Sequence, residues 1–169
     1  MKIVTKLSAI VIACLLTMQA QAQTGAIGVR ATLDGAGFTG KVFVTPNIAL
    51  EGQLNAGGIN GLEGKSLNAV GLIEAHIPLP NPQWRLIFGG GMHAGTWDRG
   101  RWFRESDGVY ITDRPEPIFG FDAIGGVEYV FKKIPLGLSA DVKPAVNVNN
   151  GVSFFQHNFT GVSARYYFR

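Results

Sequence analysis

Eight segments of this chain alternate apolar and polar residues with a period of two, and within each segment all the charges fall on one parity. The segments are Gly25–Thr32, Phe38–Val44, Ile48–Asn55, Ser66–Ile77, Trp84–Trp97, Gly120–Lys132, Leu136–Val148 and His157–Phe168. Period-two alternation places successive side chains on opposite faces of a β-strand, so each segment reads as a strand between two different media. No segment keeps a 3.6-residue period. The expected fold class is all-β.

One parity holds residues such as Ile27, Val29, Phe38, Leu50, Ile73, Phe88, Phe121 and Leu138, and no charge. The other holds Arg30, Lys41, Glu51, Glu74, His76, Arg85, His93, Asp122, Glu128, Lys132, Asp141, Lys143 and Arg165. A soluble eight-stranded barrel buries its apolar face and wets its charged one. That would force all these charges outward and leave the interior entirely apolar, yet the bulky aromatics of the apolar parity cluster at strand ends. At one end these are Trp84, Tyr129, Phe131, Tyr166 and Phe168, with Phe38 and Phe121 at the other. Aromatic belts at both ends are what a bilayer-spanning barrel carries, and charges facing lipid cost several kcal/mol near the midplane. The apolar parity is therefore expected outside and the charges inside.

Connection lengths agree with this reading. Thr45–Asn47, Pro78–Gln83 and Lys133–Pro135 are tight, whereas 56–65, 98–119 and 149–156 are longer and richer in glycine or polar residues. Of the outer loops only Leu33–Gly37 is short. Eight strands put both termini on one side, so the tight turns fall in the periplasm and the long loops outside, as in outer-membrane barrels. The last strand should close on the first.

The inward charges are nearly balanced: Arg30, Lys41, Arg85, Lys143 and Arg165 against Glu51, Glu74, Asp122, Glu128 and Asp141. Eight strands enclose room for side chains only, so an interlocked lumen network is expected, with no open pore. The runner-up is a narrow channel.

The 169 residues include 46% hydrophobic and 16% charged ones, enough for one small domain. A net charge of +3, dispersed along the chain, excludes a nucleic-acid surface. Lys2 and Lys6, the apolar run Leu7–Met18 and Ala20-Gln21-Ala22 read as a secretory signal peptide over residues 1–22, leaving 23–169 as the barrel domain. The one cysteine, Cys14, lies in that leader, so the mature chain is expected to have no disulfide and no thiolate metal site. No cofactor is expected. A metal role for His76 and His93 lacks a third ligand at defined spacing, and both read as hydrogen-bonded interior histidines.

The chain resembles the small eight-stranded barrels of the OmpA and OmpX type. It is particularly similar to a Gram-negative family of short secreted barrels in its stretch from Gly120 to Lys132, followed by Ile134-Pro135-Leu136, Leu138–Asp141 and Lys143-Pro144-Ala145. The resemblance implies an antiparallel up-and-down transmembrane barrel located in the outer membrane. It also implies an assembly signal at Phe168, with Tyr166, Ala164 and Val162 as the preceding outward residues, although here Arg169 follows. The implied partners are outer-membrane lipid, lipopolysaccharide and, during biogenesis, the assembly machinery. A wall-anchoring role of the OmpA kind is not expected. Some barrels of this size are lipid A-modifying deacylases or acyltransferases, which is the enzymatic alternative. Against it, His157 is followed by Asn158 and Phe159 in place of a serine nucleophile, and Ser106, Asp107 and Ser153 lack another loop histidine. No catalytic residue is assigned.

The longest loop carries Arg101-Trp102-Phe103-Arg104 and Val109-Tyr110-Ile111-Thr112 around an Asp-Gly pair that favours a turn, so a hairpin above the membrane is expected. Arg101, Trp102, Phe103, Arg104 and Tyr110 are its candidate surface contacts. The reading is a non-enzymatic, monomeric outer-membrane barrel of structural or interaction type.

Overall fold

The computed structural model describes residues 25–33, 35–58, 66–97, 101–104, 109–112, 116–148 and 160–168, with 101–104 and 109–112 as backbone alone. Every regular element in it is a strand: β1 (Gly25–Thr32), β2 (Gly35–Thr45), β3 (Ile48–Gly57), β4 (Ser66–Pro78), β5 (Trp84–Trp97), β6 (Arg101–Arg104), β7 (Val109–Thr112), β8 (Glu116–Val130), β9 (Leu136–Val142), β10 (Ala145–Asn147) and β11 (Thr160–Phe168). Antiparallel neighbours run β1-β2-β3-β4-β5-β8-β9-β11, and β11 returns to β1 with Gly25 opposite Phe168 and Thr32 opposite Gly161. The sheet is a closed eight-stranded up-and-down barrel, which leaves no unpaired edge.

β9 and β10 are one strand of that barrel, nicked at Lys143-Pro144. Both pair with β8 in a single register, Gly125 opposite Val142 and Asp122 opposite Ala145. Pro144 has no N–H to give the ladder, but its carbonyl still accepts from Ala123 N at 2.9 Å. β6 and β7 form a separate two-stranded ribbon between β5 and β8, with Arg101 opposite Thr112 and Arg104 opposite Val109. The expected hairpin is present as backbone.

The tight connections are held by local bonds. Thr45 Oγ1 accepts from Ile48 N at 2.9 Å across Pro46-Asn47, Leu79 N donates to Trp84 O at 3.0 Å, and Phe131 N donates to Leu136 O at 2.9 Å. Much of the longer connections lies outside the described residues. The same holds for the expected signal peptide, for His157, and for Ser106, Asp107 and Ser153.

Burial follows parity. Ile73 is 60% exposed and Phe38 70%, whereas Arg30 is 1% exposed and Glu128 fully enclosed. The outer surface is thus apolar and the enclosed volume polar, the reverse of a soluble barrel. Gly40, Gly52 and Gly71 stand opposite one another on β2, β3 and β4 and thin the outer face locally. Aromatic pairs edge the barrel at the short-turn end: Trp84–Tyr129 and Tyr129–Phe131 at 4.9 Å between centroids and Tyr166–Phe168 at 5.2 Å, all edge-on. At the other end Phe119 and Phe121 pair at 6.1 Å.

Candidate functional site

The lumen is stacked in two polar tiers above an apolar floor. Alternation on β2, β3, β4, β8 and β11 brings Lys41, Glu51, Glu74, Glu128 and Arg165 inward at one level, toward the short-turn end. Lys41 Nζ lies 2.6 Å from Glu74 Oε2, 3.0 Å from Glu51 Oε2 and 3.9 Å from Glu128 Oε1. Arg165 spans the lumen, donating from Nη2 to Glu51 at 2.8 Å, from Nη1 to Ser139 Oγ at 2.7 Å and from Nε to Thr39 Oγ1 at 3.2 Å. His76 sits between Glu74 (3.1 Å) and Glu128 (3.4 Å). Two cations thus serve three carboxylates, an arrangement that holds only while each member keeps its partners.

The second tier lies toward the long loops. Arg30 clamps Asp141 through both terminal nitrogens at 2.5 and 2.6 Å, the bidentate fork that guanidinium and carboxylate planes favour. His93 is held between Asp122 Oδ2 and Asn147 Oδ1, each at 2.8 Å. Lys143 reaches across to Gln53 Oε1 at 3.3 Å, with Asp122 at 3.8 Å.

Inward glycines make room for these side chains. A Cβ at Gly161 would fall 2.3 Å from Arg30 Cζ, one at Gly137 would fall 2.6 Å from Tyr167 Cε2, and one at Gly120 would fall 2.7 Å from His93 Cε1. Gly137→Ala is therefore expected to cost about 1–3 kcal/mol through overpacking. Gly52→Ala, with nothing within 4 Å of its added carbon, should stay within about 0.5 kcal/mol of the parent. Urea midpoints of the two variants in lipid vesicles check this.

Beneath the tiers Ala26, Phe43, Ala49 and Tyr167 form an apolar floor at the short-turn end. Phe43 meets His76 edge-on at 4.9 Å. A second apolar patch of Val70, Leu72 and Ile124 lines one wall. Sequence reasoning, which looked for polarity on the inner parity, missed both. The signal lay in the parity itself, since Phe43 follows Lys41 by two residues and Tyr167 follows Arg165 by two.

No family model matches the chain, and no curated protein matches it. Among solved structures, it is similar to the N-terminal β-barrel domain of Pseudomonas aeruginosa OprF. The TM-score is 0.65 at 11% identity, covering 89% of this chain and 100% of that one. The fold is that of the small OmpA-like barrels. At such low identity the likeness concerns the backbone and carries over no residue role.

Within this OmpA-like barrel the expected lumen charges are placed unequally. Arg30, Lys41, Glu51, Glu74, Asp122, Glu128, Asp141, Lys143 and Arg165 are all buried and linked as described. Arg85 is not linked with them: half-buried, it lies with its guanidinium carbon 5.8 Å from the centre of the Phe43 ring, against the floor. Lys132, expected inward, is exposed. β8 ends at Val130, and the next amide already bonds across the turn, so the alternation no longer holds at 132. On β11 of the OmpA-like barrel Val162, Tyr166 and Phe168 are exposed and Ala164 is half-buried on the same outer parity. Arg101, Trp102, Phe103, Arg104 and Tyr110 belong to the β6–β7 ribbon. Among the described residues no group of three or more His, Cys, Asp or Glu is arranged to hold a metal ion.

Proposed function

We propose that the chain is an integral outer-membrane protein whose strands cross the bilayer around a closed polar lumen, and that it acts as a structural or surface-interaction element without catalysis. The observation that carries this reading is the inversion of the barrel, with charges enclosed and large apolar side chains exposed from rim to rim. Such a surface is stable against hydrocarbon and not against water. The likeness to the OprF barrel domain supports the location through the fold. In this reading residues 1–22 direct secretion and are removed, and the outward row Val162, Ala164, Tyr166 and Phe168 is read by the assembly machinery. The barrel is a monomer in lipid and lipopolysaccharide. The β6–β7 ribbon offers Arg101, Trp102, Phe103, Arg104 and Tyr110 to an extracellular partner.

Cell fractionation combined with gel migration tests it. The protein is expected in the outer-membrane fraction, running at a different apparent size before and after boiling, because a closed barrel resists detergent until heated. Recovery in the soluble periplasmic fraction would overturn the proposal.

A further inference from the structure

Almost every charge in the described strands is enclosed, which makes the few exposed ones informative. Among the described residues the exposed charges are Lys132, Lys133 and Glu116. Glu116 begins β8 at the long-loop end, opposite Trp97. The short-turn end therefore carries two exposed cations, and no exposed carboxylate among the described residues.

Both lysines sit on a braced turn. Phe131 N closes it on Leu136 O at 2.9 Å, and Tyr167 N ties Pro135 O to β11 at 2.9 Å. The turn joins β8 to β9, in the sector that holds the aromatic rim of Trp84, Tyr129, Phe131, Tyr166 and Phe168. Around β2–β4 the same end carries Val42, Val44, Ile48 and Ile77 instead. Within the cationic sector the Tyr129 hydroxyl accepts from Gln83 Nε2 at 2.6 Å, which leaves its own proton to donate; it has no acceptor among the described residues. Amphipathic rings at head-group depth, two ammonium groups and a phenolic donor are together suited to a phosphodiester.

We propose that this sector, Lys132, Lys133, Tyr129 and Gln83 beside Trp84 and Phe131, binds the phosphate groups of anionic phospholipids in the periplasmic leaflet. The inference rests on the membrane reading above, which puts the short turns on the periplasmic side. A lysine near an anionic membrane surface strengthens association about fivefold.

The test uses the full barrel reconstituted in phosphatidylcholine vesicles with and without phosphatidylglycerol, reading the motionally restricted fraction of spin-labelled phosphatidylglycerol against spin-labelled phosphatidylcholine. The parent should select phosphatidylglycerol. Lys132→Gln/Lys133→Gln should lose about fivefold per lysine, Lys132→Arg/Lys133→Arg should retain the selectivity, and Tyr129→Phe should lose a smaller share. Equal selectivity in the parent and the double glutamine variant overturns the proposal, as does a parent that does not distinguish the two lipids. A protein that enters neither kind of vesicle fails differently, because it overturns the membrane reading itself.

Discussion

Lys41→Met is expected to destabilise the barrel by about 3–5 kcal/mol, the cost of leaving buried partners uncompensated. The Lys41 ammonium is fully enclosed, with Glu74 at 2.6 Å, Glu51 at 3.0 Å and Glu128 at 3.9 Å. Methionine fills much of the same volume, so the loss is electrostatic and not a cavity. Three carboxylates would remain with Arg165, which already serves Glu51 and lies 3.5 Å from Glu128. Glu74 would be hit hardest, since its other close contact is His76 at 3.1 Å. Adding Glu74→Gln to Lys41→Met should therefore return a sizeable part of the loss, because the double variant no longer buries that charge. Leu50→Met, on the exposed outer face of β3, should stay within about 0.5 kcal/mol of the parent. Urea unfolding from lipid vesicles followed by tryptophan fluorescence measures all three. A Lys41→Met barrel within about 1 kcal/mol of the parent would mean the lumen is wet enough to screen its charges.

Which of these charges would be enclosed was legible in the sequence, because strand parity is a strict rule and lipid tolerates no mixture on its face. Glu51, Glu128 and Arg165 followed from that alone. Their pairing did not. Arg30 meets Asp141 at a separation of 111 residues, and which inward groups meet depends on the stagger between strands, which no local pattern encodes. Parity also misled where a strand ended early: at Lys132 the alternation was carried past the last ladder bond and gave an inward lysine that is exposed. Leu136–Val148 was expected as one strand; Pro144 has no N–H for the ladder and nicks it into two short ones, although a single register runs through both. Hardest to read was the floor. A narrow lumen must be filled as well as neutralised, and Phe43 and Tyr167 fill it from positions where alternation against lipid predicts polarity.

The outer face makes the second large prediction, and it separates lipid from water as the surrounding medium. On β4 the outward residues run from Leu67 near the long-loop end through Ile73 near mid-strand to Ile77 near the short turn, all at least half exposed. Arginine at Ile73 would face the bilayer midplane and is expected to cost about 2–4 kcal/mol, whereas arginine at Leu67 or Ile77 reaches the interface and should cost about 0–1 kcal/mol. In water the three sites are alike, since each is an exposed strand position with no partner to lose, and each substitution would fall within about 0.5 kcal/mol. The discriminating quantity is thus the profile along one strand, which cancels any general penalty of arginine in a β-sheet. Refolding equilibria of the three variants in vesicles give that profile. A flat line would place the apolar face against something other than hydrocarbon, and a peak at Ile73 would locate the centre of the membrane on β4, level with Leu72, whose side chain turns into the lumen.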